Sequence, residues 1–183
     1  MSKLLPHELE LLYAVATEHV SEHGCSAHPY KEAGKLFDIV AENKPHRILE
    51  IGTGMGFTAL IMSLAAPDAL IQTIEKDAEH ANIARKYFEQ HNVDDRIVVI
   101  DAVAEELLPE LTPQFDLIFF DGYQIHFEFL PHYERLLLPG GLLVAANNHL
   151  TSKTSDAFFA GLQDKTVWEV LETFEDTTIA KKL

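Results

Sequence analysis

The feature that most constrains this chain is a glycine-rich loop between a predicted buried strand and a predicted helix. The segment reads Arg47-Ile-Leu-Glu-Ile-Gly-Thr-Gly-Met-Gly-Phe57, with glycines at alternate positions 52, 54 and 56. A plain strand-to-helix turn needs one glycine, whereas alternate glycines let the backbone turn tightly and approach a ligand closely. Because ligands of doubly wound sheets bind beyond the carboxyl ends of strands, the segment predicts a ligand-binding loop.

Strands and helices alternate along the chain, as in a parallel sheet that is covered on both faces. The predicted helices span 6–20, 33–43, 56–66, 77–91, 104–108, 127–137 and 155–162. The predicted strands span 47–51, 70–75, 96–101, 115–121, 142–147, 168–174 and 177–183. Glu175-Asp176 between the last two is a hairpin signal, which indicates an antiparallel pair at one edge. We expect one α/β domain over 1–183, with an N-terminal helical segment at 1–45 and a Rossmann-like core at 46–183.

The charge and the cysteine content of the chain indicate which kinds of partner it has and which cellular compartment it occupies. The formal net charge is −15, and because nucleic-acid binding depends on Lys and Arg that neutralise phosphates, a nucleic-acid partner is not expected. Cys25 is the only cysteine, which excludes an intrachain disulfide and fits a reducing compartment. We interpret it as an ordinary loop or packing residue. Since no secretory pattern or membrane-length apolar run is present, we expect a soluble, cytoplasmic protein without a membrane partner.

Carboxylates end four of the predicted strands and indicate the charge of the ligand. Glu50, Glu75, Asp101 and Asp121 are expected around one crevice, where they would repel a pyrophosphate and favour a cationic cofactor. The dinucleotide pattern G-x-G-x-x-G requires glycine where Phe57 stands, so an NAD-dependent oxidoreductase is disfavoured. S-adenosylmethionine carries a sulfonium and an ammonium group, and a strand-end carboxylate such as Glu75 can accept hydrogen bonds from ribose hydroxyls.

Five segments of the sequence together form a recognisable set of motifs. They are Leu49-Glu50-Ile51-Gly52-Thr53, Thr73-Ile74-Glu75-Lys76-Asp77, Asp95-Arg96-Ile97, Phe115-Asp116-Leu117-Ile118-Phe119-Phe120-Asp121 and Leu138-Pro139-Gly140-Gly141-Leu142-Leu143-Val144. The chain thereby resembles class I S-adenosylmethionine-dependent methyltransferases, and more narrowly the catechol and caffeoyl-CoA O-methyltransferases, from roughly Ala27 to Leu183. The resemblance implies a seven-stranded, mostly parallel sheet with the last strand antiparallel. It also implies methylation of a small hydroxylated molecule and, by analogy, a homodimer.

The resemblance assigns residues to the cofactor pocket or its edge. Glu75 would hold the ribose, Asp101 and Ala102 the adenine, and Asp121 would lie near the methyl group. The segment His28-Pro29-Tyr30 lies where the family's cofactor-covering segment would run. The residues expected to bind the cofactor are Glu50, Gly52, Thr53, Gly54, Gly56, Thr58, Glu75, Lys76, Asp101, Ala102 and Asp121.

The chain departs from the family in two parts of its catalytic device. The family holds a divalent cation on an Asp after strand four and an Asp-Asn pair after strand five, and the matching residues here are Asp121, Asn147 and Asn148. Because hard cations favour carboxylate oxygens, the loss of one should weaken metal binding. The family's Lys, three residues after the first Asp, is Gln124 here, and an amide cannot take a proton at neutral pH.

Three hypotheses follow from these departures. In the first, the chain is a metal-independent methyltransferase whose base is His126 or His149, which follow strands four and five, with Tyr123 as a further candidate. In the second, a weakened metal site persists on Asp121 and Asn148, beside Asn147, and is completed by waters. In the third, the chain binds S-adenosylmethionine without catalysing a transfer.

Overall fold

The elements alternate along the chain largely as the hydrophobic periodicity predicts. The computed structural model describes residues 6–25, 27–112 and 114–183. Its helices are α1 (Pro6–His23), α2 (Ala33–Asn43), α3 (Phe57–Ala65), α4 (Ala78–Gln90), α5 (Ala104–Leu107), α6 (Leu130–Leu136) and α7 (Lys153–Gly161), and a 3₁₀ turn spans Phe127–Phe129. Its strands are β1 (Arg47–Ile51), β2 (Leu70–Glu75), β3 (Ile97–Asp101), β4 (Phe115–Phe120), β5 (Leu137–Ala145), β6 (Trp168–Phe174) and β7 (Thr177–Lys182).

The strands form one seven-stranded sheet in the order β3-β2-β1-β4-β5-β7-β6. Strands β1 to β5 are parallel, and β7 is antiparallel to both of its neighbours, β5 and β6. The mixed Rossmann-like sheet with its C-terminal edge hairpin is therefore confirmed. Since β1 pairs with β2 on one side and β4 on the other, the strand order reverses at β1. Ligand sites of such folds lie at that reversal.

Apolar side chains of the central strands point alternately to two hydrophobic cores, one on each face of the sheet. Ile48 and Leu117 pack with residues of α2, α3 and α4, whereas Leu49 and Ile118 pack with residues of α5, α6 and α7. Helix α1 joins the first core through Ala16, which is 6% exposed. No described helix has both the length and the apolar character needed to cross a membrane.

Strand β5 begins earlier than the sequence indicates. We expected Pro139-Gly140-Gly141 to separate a helix from a strand starting at residue 142, but the strand starts at Leu137 and runs through these residues. Its pairing with β4 shifts register, so that Leu137 pairs with Phe115 and Leu142 with Leu117. A bulge of this kind absorbs extra residues without ending the strand, which is why the turn-forming residues did not break it.

Candidate active site

The glycine loop lies against the chain segment that follows β4. The Gly52 N–H donates to the Ile74 carbonyl at 3.0 Å, and the Asp121 N–H donates to the Ile51 carbonyl at 2.9 Å. The Gly56 N–H donates to the Thr53 carbonyl at 2.8 Å, which closes a tight turn before α3. Phe57 is 5% exposed, so the position that a dinucleotide loop gives to glycine is occupied by a core side chain.

Position 52 has no room for a side chain. Gly52 has φ +95°, and a Cβ there would lie 2.8 Å from the carbonyl oxygen of Asp121. Gly24 has φ +66° but open space around it. We expect Gly52→Ala to lower the free energy of unfolding by about 3 kcal/mol, from left-handed backbone strain and backbone displacement together, and Gly24→Ala by about 1 kcal/mol, from strain alone. Urea denaturation of the pair measures this, and equal losses would contradict the steric explanation.

Glu75 ends β2 beside the glycine loop and is 8% exposed. Its Oε2 accepts the Gly54 N–H at 2.8 Å, and its Oε1 accepts the Asp77 N–H at 2.9 Å. Asp77 in turn caps α4 by accepting from the N–H of Glu79. An ionised carboxylate has about two acceptor positions on each oxygen, so one position on each remains for a ligand's hydroxyl groups.

Glu50 lies beneath the loop rather than at its surface, with no exposed area. Its two oxygens accept hydrogen bonds from the hydroxyls of Thr58 and Thr73. The Thr73 hydroxyl lies 2.6 Å from that of Thr53, and because Thr73 donates to Glu50, Thr53 donates to Thr73. Burial raises the pKa of Glu50 to about 7, the charge of Glu75 adds to this rise, and the two hydroxyl bonds oppose it. The network ties Thr53 of the glycine loop to β1 and β2.

The raised pKa of Glu50 predicts a pH-dependent stability. A carboxyl whose pKa rises from 4.5 to about 7 on folding stabilises the fold below pH 4.5, and this contribution is lost as the pH rises through 7. We therefore expect the free energy of unfolding, relative to Glu50→Gln, to fall by about 3 kcal/mol over this range. Denaturant titrations at several pH values measure the difference. A difference between wild type and Glu50→Gln that does not change with pH would contradict burial as the cause.

The predicted adenine-side residues, Asp101 and Ala102, lie at the end of β3. The Asp101 carboxylate, which is 49% exposed, pairs with the Arg85 guanidinium at 3.1 Å. The Ala102 N–H donates to the Glu75 carbonyl at 3.0 Å. Lys76 is exposed. Of the four acids expected around one crevice, Glu50 lies beneath the loop and Asp101 is paired with Arg85. Sequence reasoning missed Arg85, because its contact with β3 depends on how α4 packs.

Asp121 and Asn147 meet where β4 and β5 end. The Asn147 amide Nδ2 donates to Asp121 Oδ1 at 3.1 Å and to the Gly122 carbonyl at 2.9 Å. Burial raises the pKa of Asp121 well above its usual range, the charge of Glu50 adds to this, and the Asn147 hydrogen bond opposes it. The Asn147 amide N–H therefore stabilises the ionised form of Asp121, whereas burial and the charge of Glu50 favour the protonated form.

Asn148 does not join this pair. Its side-chain amide lies 2.9 Å from the Thr178 hydroxyl in either orientation of the amide, and its backbone N–H donates to the Asp176 carbonyl at 2.9 Å. The residues expected to share a cation thus separate into Asp121 with Asn147 and Asn148 with β7. The remaining set, one carboxylate already bonded to an amide N–H, does not fit a divalent cation that favours several oxygen ligands.

The two candidate bases have different surroundings. His149 Nδ1 lies 3.1 Å from Asp176 Oδ2, and both side chains are 53% exposed. The His126 ring packs edge-on against Phe129, with centroids 5.7 Å apart. Tyr123 is 76% exposed. Sequence reasoning missed Asp176, because the hairpin turn reaches His149 only once β7 is placed beside β5.

Gln124 stands at the position of the family's Lys, and its amide lies 3.4 Å from the Leu150 carbonyl. It thereby links the segment after β4 to the segment after β5. This contact requires a hydrogen-bond donor and no titratable group, which is consistent with an amide at this position.

The segment from Ala27 to Tyr30 crosses the carboxyl edge of the sheet. A Cβ built on Gly54 would lie 3.6 Å from the Ala27 Cβ. The Tyr30 hydroxyl lies 2.7 Å from that of Thr177, and its ring packs against Phe119 with centroids 5.3 Å apart. Burial raises the pKa of Tyr30, and among the charges that add to this is Asp121. The segment thus runs from the glycine loop towards β7, near Asp121.

Comparison with known proteins places this geometry in a family. An O-methyltransferase family model matches residues 10–167. The chain is 31% identical over 146 residues to the O-methyltransferase hkm8 of Aspergillus hancockii, covering 79% of this chain and 57% of that protein. It is also 31% identical over 155 residues to a catechol O-methyltransferase of Niastella koreensis, covering 80% and 70%. The chain thus spans about three fifths of the length of the Aspergillus relative.

A solved structure supports the fold independently. The methyltransferase PaMTH1 of Podospora anserina, solved with S-adenosylhomocysteine bound, superposes with a TM-score of 0.79 at 22% identity, covering 98% of this chain and 89% of that one. This likeness establishes the fold, and the family model covers most of the chain. The chain belongs to the O-methyltransferase family.

Proposed function

We propose that this chain is an S-adenosylmethionine-dependent O-methyltransferase that acts on a small hydroxylated molecule. The observation that carries the proposal is the site at the strand reversal, where the glycine loop, Glu75 and Asp121 lie together. Family membership supports the same activity. The strand-end carboxylates favour a cationic cofactor, and the net charge of −15 argues against a nucleic-acid substrate.

The residues of the site fit the cofactor. In this proposal Glu75 accepts the two ribose hydroxyls, and Asp101 and Ala102 border the adenine. The glycine loop approaches the amino acid part of the cofactor through Gly52, Thr53, Gly54 and Gly56. Glu50 and Thr58 support the loop from the buried side, and Lys76 lies beside it. When bound, S-adenosylmethionine supplies a methyl group on a positively charged sulfur. Asp121 lies nearest the expected reacting atoms, and a cation beside it would favour its ionised form.

We propose that transfer proceeds without a bound divalent metal. The Asp121 carboxylate is bonded to the Asn147 amide, and Asn148 is held by Thr178. In this arrangement the chain's own residues orient the acceptor hydroxyl. The protein contributes mainly by positioning the two reactants and excluding water.

The His149 and Asp176 pair is the proposed base. Its geometry leaves Nε2 of His149 to accept a proton when Nδ1–H donates to the Asp176 carboxylate. His149 Nε2 would take the proton of the acceptor oxygen as that oxygen bonds to the methyl carbon and the bond from the methyl carbon to sulfur breaks, which leaves S-adenosylhomocysteine. His126 packs on Phe129 and has no carboxylate partner among the contacts of the described residues, so we rank it second.

A metal test separates this proposal from a weakened metal site. We expect methyl transfer at saturating S-adenosylmethionine to be unchanged by EDTA and by added Mg²⁺. Asn147→Asp should create Mg²⁺ binding measurable by calorimetry, because two adjacent carboxylates repel each other and favour a cation between them. Asn148→Asp is the matched control and should gain no such binding, since its side chain lies on Thr178. Loss of activity in EDTA that Mg²⁺ restores would contradict the metal-free proposal.

The activity itself is tested by two measurements in sequence. Isothermal titration should show S-adenosylhomocysteine binding, and transfer of a labelled methyl group should then occur to at least one member of a panel of hydroxylated aromatics. No binding at millimolar cofactor would reject the cofactor assignment. Binding with no transfer across the panel would count against the enzymatic half of the proposal.

Two further parts of the proposal concern assembly and compartment. By analogy with the family, we propose a homodimer, which light scattering on the purified chain would detect as twice the monomer mass. We propose the reducing cytoplasm as the compartment, because Cys25 has no second cysteine in this chain to pair with.

A further inference from the structure

Three potential metal ligands converge beside the proposed cofactor site. They are His19 on α1, Cys25 just after α1, and His80 in the first turn of α4. One ring nitrogen of each histidine and the Cys25 sulfur all lie within 4.8 Å of one another. His80 is 6% exposed, and the two histidine rings have centroids 5.6 Å apart. The fold thus brings donors from two distant parts of the chain to one point.

We propose that His19, Cys25 and His80 form a zinc site. Two imidazoles and a thiolate are a donor set that Zn²⁺ binds tetrahedrally, with a water in the fourth position. Zn–N and Zn–S bonds of about 2.1 and 2.3 Å place the ligand atoms roughly 3.5 Å apart. The widest separation, which is at most 4.8 Å, therefore needs to contract by no more than about 1.3 Å. Side-chain rotation of partly buried His19 and Cys25 can supply this.

The site differs chemically from the residues at the ends of β4 and β5. The only ligand atoms that Asp121, Asn147 and Asn148 could offer are hard oxygen atoms, whereas thiolate and imidazole select softer transition metals. Zinc binding at the His19–Cys25–His80 cluster therefore neither requires nor implies a metal in the methyl-transfer site. Cys25, interpreted from sequence as a packing residue, becomes a ligand in this proposal.

The position of the cluster gives the metal a structural consequence. Cys25 precedes the segment from Ala27 to Tyr30 that passes the glycine loop. His80 lies in the first turn of α4, whose cap Asp77 contacts Glu75. A shared zinc ion would fasten this segment to α4 and restrain it over the loop. Restraint of this segment by zinc should raise the affinity for the cofactor. That expectation rests on the proposed function, whereas zinc binding itself does not.

Cobalt absorption tests the site directly. Because Cys25 is the only cysteine, thiolate-to-cobalt charge-transfer absorption on adding Co²⁺ reports this site alone. We expect one equivalent of Co²⁺ to bind with that absorption, and Zn²⁺ to displace it. Cys25→Ser should abolish the absorption. His19→Ala and His80→Gln should each weaken Zn²⁺ binding by at least about 100-fold, since even partners outside a coordination shell are worth about 10- to 100-fold.

The control is His46→Ala, because His46 is exposed and precedes β1 at the opposite edge of the sheet. It should retain the absorption and the affinity. Circular dichroism without metal should match wild type for every variant, so that a loss of binding is not a loss of folding. Cobalt binding without thiolate absorption, or unchanged Zn²⁺ affinity in both histidine variants, would overturn the proposal. A failure to bind S-adenosylhomocysteine would instead count against the proposed function and leave the cobalt result standing.

Discussion

Glu75→Gln is expected to weaken S-adenosylhomocysteine binding by about 100-fold or more. The two ribose hydroxyls would each donate to an ionised carboxylate, and such charge-assisted bonds contribute about 1.5 to 3 kcal/mol each. The amide would lose the charge. It would also place an N–H group against the backbone N–H of Gly54 or Asp77, since both carboxylate oxygens already accept one. Isothermal titration of the purified variant measures the affinity.

The matched control for this change is Glu89→Gln on the exposed face of α4. This variant also removes one negative charge, but from a position outside the site. Its affinity for S-adenosylhomocysteine should therefore equal that of wild type. Similar losses in both variants would mean that overall charge, rather than the Glu75 contacts, governs binding. An unchanged affinity in Glu75→Gln would remove Glu75 from the cofactor site.

His149→Ala is expected to lower kcat by about 100-fold or more, the usual contribution of a general base. Asp176→Asn should lower it by less, because the imidazole remains but loses the carboxylate that orients it. Cofactor affinity should change little in either variant, since neither residue is assigned to the cofactor. Steady-state kinetics measures kcat, and isothermal titration measures the cofactor affinity.

His126→Ala provides the comparison. Its ring packs against Phe129, so we expect a modest loss of stability and nearly unchanged kcat. The reverse result, a large loss for His126→Ala and none for His149→Ala, would transfer the role of base to His126. Unchanged kcat in both variants would exclude both histidines.

The local features of the site could be read from the sequence. The strand, glycine loop and helix from Arg47 to Ala65 follow from hydrophobic period and glycine spacing. The residues that the motifs align at strand ends, such as Glu75 and Asp121, lie at those ends because parallel strands share one carboxyl edge. The departures from the family at Asn147 and Gln124 were also visible, because they are changes of residue type that need no structure to detect.

Contacts between distant parts of the chain could not be read in this way. The turn of Asn148 towards Thr178 and the pairing of His149 with Asp176 both depend on β7 lying next to β5, which local patterns do not specify. Hydrophobic period likewise places Glu50 on a strand but does not indicate that Thr58 and Thr73 would bury it. The early start of β5 was missed because a bulge overrode the turn propensity of its glycines.

The hydroxyls of Thr73 and Thr53 couple the protonation of Glu50 to the glycine loop. The coupling requires only that hydroxyl hydrogens rotate, and no heavy atom needs to move. When Glu50 is ionised, Thr73 donates to it and Thr53 donates to Thr73. When Glu50 carries a proton towards Thr73, that hydroxyl must accept instead, and its own hydrogen then points to Thr53. Proton uptake on this oxygen of Glu50, whose carboxyl has a pKa of about 7, thus reverses both hydrogen bonds from Glu50 to Thr53. The Thr53 hydroxyl then accepts from Thr73, and its own hydrogen becomes available to donate within the glycine loop. The charge of Glu50, buried beneath the loop, thus decides whether Thr53 donates to Thr73 or to another acceptor.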